Sequence, residues 1–155
     1  PDMSKRGMSK LGVVFNLDKH TEGGSHWVAM FLSLPDNIIC YWDSFAAEPP
    51  SEVVELMERL QKQSLKIKHK LVVKKNSIRH QYKNTECGVY CIHFIISLLE
   101  GKSFEEVCGN VIPDDKMNDG MKVPVMFISA VTNKGIVELK DVLWNLMNER
   151  SFLDR

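Results

Sequence analysis

Residues 81–99, QYKNTECGVYCIHFIISLL, decide how this chain is read. The run over 87–99 is apolar nearly all round, as a helix packed on both sides must be, and Gly101 ends it. Cys87 opens that helix, and Gln81 stands six residues before it. Upstream, His26 lies in SHW and Asp43 in YWD, each beside a tryptophan and in or at the end of a short strand-like segment. A thiol at a helix start, an imidazole, a carboxylate and an amide are the parts of a cysteine-nucleophile acyl-transfer site.

The rest of the chain is organised around that helix. Residues 12–17, 27–34 and 38–43 are rich in β-branched and aromatic residues and predict strands, with Pro35-Asp36-Asn37 as a hairpin-type turn between the last two. Pro49-Pro50 stops the extended chain, and Ser51 is expected to cap a helix over about 51–63 whose Val53, Met57 and Leu60 share a face. Alternation over 66–74 predicts a half-buried strand. Ser103 and Glu106 form a capping-box pattern for a short helix. The polar, turn-rich stretch 113–122, PDDKMNDGMK, is the expected boundary, dividing a core of 1–117 from a tail of 118–155. In the tail, a strand over 123–129 and an amphipathic helix over 136–149 are expected.

With 155 residues, 44% hydrophobic and 26% charged, the composition is that of a globular domain with one real core. The formal net charge of +0 excludes whole-molecule steering toward nucleic acid or membrane. No apolar run reaches the roughly 18 residues of a membrane helix. The basic N-terminus lacks the apolar core of a secretory signal, and the chain opens on Pro1, which points to a processed or partial sequence. Cys40, Cys87, Cys91 and Cys108 make no CxxC pair and the histidines no zinc spacing, so no metal or other cofactor is expected. Free thiols in a reducing cytoplasm are the corresponding expectation.

From Arg59 through Thr85 there is no acidic residue against nine Lys and Arg. Such a run is ordinarily a solvated face, and its alternative is a docking surface at 59–83 for an acidic partner or nucleic acid.

A helix N-terminus favours thiolate over thiol, and a nearby imidazolium favours it further. His26 is the candidate base, Asp43 the group that holds its tautomer, and Gln81 with the Cys87 N–H the donors to a tetrahedral oxyanion. Gly88 leaves the space beside the thiol uncrowded. Each residue also has a plain structural reading: a core cysteine, a packed histidine, a turn-capping aspartate. Cys91, His93, Cys40 and Cys108 are expected to be structural, and His20, His69 and His80 to lie at the surface. On chemistry alone both readings stand.

Order and spacing add a resemblance. GGSHW, then YWDSF seventeen residues after the histidine, then Q-x5-CG ahead of a buried helix, is similar to the ubiquitin-like-protein-specific protease superfamily, over about 10–117. That group includes SUMO-deconjugating proteases and viral maturation proteases, and the compact spacing looks closest to the viral branch. The resemblance implies an α+β, papain-like cysteine protease core, with a small mixed sheet and the Cys87 helix packed against it. It implies His26 as general base, Asp43 as its orienter, Gln81 as oxyanion donor and Cys87 as nucleophile. Trp27 would line the channel that admits a Gly-Gly-like tail, of a ubiquitin-like modifier or a viral polyprotein. A catalytically silent module of the same fold, recognising a ubiquitin-like partner, is the rival class. Little chain precedes the first strand, where family members carry substrate-binding helices, so an incomplete N-terminal part is expected. If the chain is viral, host cell or virion is its place. Residues 123–149 resemble the closing strand and helix of an Obg-type GTPase domain, yet no phosphate loop or NKxD motif accompanies them, so nucleotide binding is not expected.

Overall fold

The computed structural model describes residues 9–18, 26–83 and 86–117. The strand and helix expected within 123–149 lie outside these residues, as does His20. Four strands, β1 (Lys10–Asn16), β2 (Trp27–Ser33), β3 (Ile38–Trp42) and β4 (Val72–Lys75), form one sheet in that order. β1 with β2 and β2 with β3 are antiparallel, while β3 and β4 run parallel. A parallel pair needs a crossover, and helix α1 (Ser51–Leu65) supplies it. Helix α2 (Cys87–Leu99) and the short helices α3 (Phe104–Gly109) and α4 (Asp114–Met117) complete the described architecture. The mixed α+β class and the small mixed sheet are those expected from the sequence.

Every residue of β2 from Val28 to Ser33 is buried, because both faces of the sheet are covered. On one face Val28, Met30 and Leu32 of β2 and Ile39 and Tyr41 of β3 meet Val53 and Met57 of α1 and Leu71. The alternate residues Ala29, Phe31, Cys40 and Trp42 are buried as well, on the side where α2 packs. There Phe94 of α2 stacks on Trp42 with ring centroids 4.9 Å apart, and Phe104 meets Phe94 edge-on at 6.2 Å. Burial of each such side chain is worth roughly 1.5–3 kcal/mol. Close approach of α2 to the sheet explains Gly12: a Cβ there would lie 2.6 Å from Cγ2 of Ile95. At the far end of α2, Gly101 takes the left-handed conformation, φ 97°, that stops the helix.

Four local expectations are corrected. Ser51 is the first helical residue, Pro50 occupies the cap position, and no side chain caps α1. Proline suits this place because its missing N–H would have had no helical partner. The strand expected over 66–74 is shorter and later. The last turn of α1 continues through Lys66 and Ile67 into Lys68 at φ 63°, closed by the His69 N–H on the Ser64 carbonyl, so pairing starts only at Val72. Lys and Ile alternation in that stretch therefore reflects a solvated helix end. His80, expected at the surface, is 2% exposed, and its Nε2 lies 2.9 Å from the Cys108 carbonyl. Finally, 113–117 is not a free linker, since Asp114–Met117 is helical and Met117 is 1% exposed. The capping box of Ser103 and Glu106 is present as expected.

Candidate active site

β2 begins where β3 ends, because the two are antiparallel, and this brings His26, just before β2, beside Asp43, just after β3. His26 donates from Nε2 to Asp43 Oδ1 at 3.0 Å. The same oxygen accepts the Phe45 N–H at 2.7 Å, so the chain turns tightly around the carboxylate. Asp43 is 1% exposed, and its second oxygen is enclosed without a hydrogen bond. A buried carboxylate in this state depends on a counter-charge, and the imidazole is in place to supply it. Accordingly the Asp43 hydrogen bond, with a further contribution from the Cys87 thiolate, raises His26 from 6.5 to about 9 against the effect of burial. Phe45 stacks on the imidazole at 4.8 Å and covers one face of the ring.

Cys87 occupies the first position of α2, and no side chain caps that end of the helix. Since Nε2 of His26 is committed to Asp43, the enclosed Nδ1, which has no conventional hydrogen bond, is the nitrogen left for the thiol. Burial alone would push the Cys87 thiol up. The nearby His26 Nδ1, the Trp27 and Gly88 backbone and the imidazolium charge together outweigh this and hold it below the ordinary thiol value. The other cysteines differ in kind. Burial pushes Cys40 and Cys108 up to about 12, and raises Cys91, whose thiol donates to the Trp27 carbonyl at 3.3 Å. Cys87 thus stands apart from the other three in electrostatics as well as in position.

Gln81 is completely buried and its amide orientation is determined. Ser44 donates from Oγ to Oε1 at 2.6 Å, and Nε2 donates to the Lys83 carbonyl at 2.6 Å. A carbonyl only accepts, so the amide nitrogen must face Lys83, which excludes the flipped rotamer. One amide N–H is left over. Trp27, next to His26, is 39% exposed, and Gly88, next to Cys87, is partly exposed.

Sequence reasoning did not single out Ser44, Phe45 or Asn76. Asn76 follows β4 and hydrogen-bonds both backbone groups of Asp43, its Oδ1 accepting at 2.9 Å and its Nδ2 donating at 2.6 Å. Ser44 and Phe45 lie within YWDSF and were within reach of the motif, whereas nothing in the local sequence marks Asn76. In the basic segment, Lys62, Lys74, Lys75 and Lys83 pair with Glu58, Glu105, Glu48 and Asp115. Arg79 lies over the rings of Phe45 and Tyr82, at 4.9 and 5.0 Å. Among the described residues no cluster of three or more His, Cys, Asp and Glu is arranged to hold a metal, and no helix is long and apolar enough to cross a membrane.

Residues 11–125 match the Ulp1 protease family, C-terminal catalytic domain. The chain belongs to this family. It is 36% identical over 116 residues to the SUMO-1 cysteine protease S273R of African swine fever virus (isolate Pig/Kenya/KEN-50/1950), covering 73% of this chain and 42% of the relative. R355 of Acanthamoeba polyphaga mimivirus is 32% identical over 113 residues, covering 72% and 37%. The crystal structure of the pS273R protease superposes with a TM-score of 0.64 at 36% identity, covering 70% of this chain and 41% of that one. ChlaDub1 of Chlamydia trachomatis shares the fold, with a TM-score of 0.51 at 14% identity, covering 72% and 55%. The chain therefore spans less than half the length of the viral relatives it matches.

Proposed function

We propose that the chain carries the catalytic centre of a cysteine peptidase that cleaves after a small-residue tail, Gly-Gly or similar, of a ubiquitin-like modifier or a viral polyprotein. The observation that carries this reading is the pairing of His26 with buried Asp43 at 3.0 Å beside the thiol, among four, that is held below its ordinary pKa. In this reading Cys87 is the nucleophile, His26 the acid and base, Asp43 its orienter and Gln81 the oxyanion donor.

The chemistry follows from the charges. With His26 raised to about 9 and the Cys87 thiol lowered, the imidazolium favours thiolate on Cys87, and that thiolate attacks the scissile carbonyl. Negative charge builds on the carbonyl oxygen, where the spare Gln81 N–H and the Cys87 backbone N–H act as donors. The imidazolium gives its proton to the departing amine, leaving a thioester on Cys87. Neutral His26 then takes a proton from water, which attacks the thioester and releases the acid. Throughout, Asp43 keeps the ring oriented and stabilises its charged form.

For substrate class, kinship with a viral protease named for SUMO-1 supports a ubiquitin-like tail, and the exposed Trp27 ring next to His26 suits contact with that tail. The paired lysines give no comparable support to an acidic or nucleic-acid partner at 59–83. A vinyl-sulfone probe ending in Gly-Gly tests the reading. Labelling abolished by Cys87→Ala is expected; binding of a ubiquitin-like protein without labelling would instead identify a silent module.

A further inference from the structure

The polar, turn-rich start of the expected boundary, residues 113–117, holds an arrangement that the proposed mechanism leaves unused. Asp114, in PDD, reaches back to the Gln81 loop. Its Oδ2 accepts the N–H groups of Tyr82 and Lys83, at 3.0 and 2.9 Å. Oδ1 lies 2.9 Å from the Tyr90 hydroxyl, whose one proton is shared with the Ile112 carbonyl at 2.7 Å. Tyr90 is 1% exposed and sits in the first turn of α2, three residues after Cys87. One carboxylate therefore ties the loop bearing Gln81 to the helix bearing Cys87. Lys83, whose carbonyl accepts the Gln81 amide, is joined to α4 a second time through its ion pair with Asp115.

We infer that Asp114 is a positioning residue for the oxyanion donor, acting through the Tyr82 and Lys83 peptides and referenced to the nucleophile helix by Tyr90. The inference rests on the reading of Gln81 as that donor. Its physical basis is a short chain of constraints. The two peptide groups flanking Tyr82 are pinned by Asp114, which fixes the backbone leaving Gln81 and the position of the Lys83 Cα from which the Lys83 carbonyl projects. That carbonyl holds one Gln81 N–H and Ser44 holds Oε1, so the direction of the remaining N–H follows. Without Asp114 the Tyr82–Lys83 backbone loses its anchor, the Lys83 carbonyl shifts with it, and the amide follows. An oxyanion donor works only when aimed beforehand at the place where charge develops. Burial opposes the charge on Asp114, but the two N–H bonds and the Tyr90 hydroxyl hold its carboxyl below the ordinary range, so the brace is charged at neutral pH.

The test separates thiol chemistry from oxyanion binding in the full chain. Alkylation of Cys87 by iodoacetamide forms no tetrahedral oxyanion, whereas a peptide aldehyde ending in Gly-Gly adds to the thiol and forms one. In Asp114→Ala, aldehyde affinity and kcat on a Gly-Gly-aminocoumarin substrate should fall together by about 10- to 100-fold, a part of the ~10²–10³ a donor contributes. KM and the alkylation rate should stay within about twofold, since binding and the thiolate are untouched. Asp114→Asn keeps one oxygen for both N–H groups and turns its NH2 to the Tyr90 oxygen, so it should recover most of the loss. If Asp114→Ala fails to fold, Tyr90→Phe removes the hydroxyl that Asp114 shares with the Ile112 and His80 carbonyls, leaves the Tyr82 and Lys83 N–H bonds in place, and should give the same selective loss at smaller size. Equal loss of alkylation and aldehyde binding, or unchanged aldehyde affinity, overturns the inference. Gln81→Ala is the reference: if it leaves aldehyde affinity unaltered, the reading of Gln81 itself has failed, and the role of Asp114 with it.

Discussion

Asn76 completes the backbone of Asp43, taking its N–H at 2.9 Å and donating to its carbonyl at 2.6 Å. Both residues are buried, so one side chain does for the end of β3 what a neighbouring strand would do along it. Replacement by alanine leaves a buried donor and a buried acceptor without partners, each costing roughly 1–3 kcal/mol. Asn76→Ala should therefore lower stability by about 2–5 kcal/mol and reduce turnover through a displaced Asp43. Urea denaturation checks the first part. An unchanged midpoint would show that the two backbone groups find other partners.

Ser44 holds Oε1 of Gln81 at 2.6 Å, and in the proposed mechanism it orients that amide. Loss of an oxyanion donor costs about 10²–10³ in kcat. Ser44→Ala should cost less, about 5- to 20-fold, with KM little changed, and Gln81→Ala should be no worse in the Ser44→Ala background than alone. A double-mutant cycle on kcat measures this coupling. Strict additivity would mean the two residues act independently.

His26 is raised from 6.5 to about 9, first by its bond to Asp43. A raised base contributes its stabilisation below the unfolded value of 6.5 and loses it as pH climbs through about 9. Turnover should show an alkaline limb in the same place, because the departing amine needs the imidazolium proton, and both limbs belong to the coupled thiol–imidazole pair. Asp43→Asn removes the main support of the charged ring and should move the alkaline limb to lower pH. A limb that stays near 9 in that variant would show that another group sets it.

Gly12 owes its place to α2. A methyl group there meets Ile95 Cγ2 at 2.6 Å, and Cγ2 is attached to a branched carbon that cannot swing clear alone. Gly12→Ala should cost about 1–3 kcal/mol as overpacking. Adding Ile95→Ala should cancel most of that increment, even though Ile95→Ala alone is destabilising. Thermal unfolding of the four proteins of the cycle is the measurement, and absence of compensation would locate the strain elsewhere.

Much of the proposed site is legible along the chain because the groups assigned to the chemistry sit where local patterns change. His26 marks the entry to a strand, Asp43 the exit from one, and Cys87 the first residue of an apolar helix; β-propensity, turn residues and helix periodicity are all local properties. The capping box at Ser103 and Glu106 was legible for the same reason. Other features had no local signal. Alternation of lysine with Ile67, His69 and Leu71 over 66–71 resembles a strand, yet the closing turn of α1 wins because Lys68 accepts a positive φ and the Ser64 carbonyl takes the His69 N–H. His80 has a polar side chain with nothing nearby to announce burial, and it goes inside because Trp42, Tyr90 and the Cys108 carbonyl meet around it.

By itself the sequence determined the first three strands, the crossover helix and the apolar helix, and it named the residue types proposed to react. Tertiary structure decided which groups hold them in place: Asn76 on Asp43, Ser44 on Gln81, and Asp114 on the loop between Gln81 and Cys87. The reason is physical. Reacting groups are chosen by chemistry, which residue type reveals, whereas supporting groups are chosen by where an unsatisfied N–H or C=O happens to face once distant segments pack.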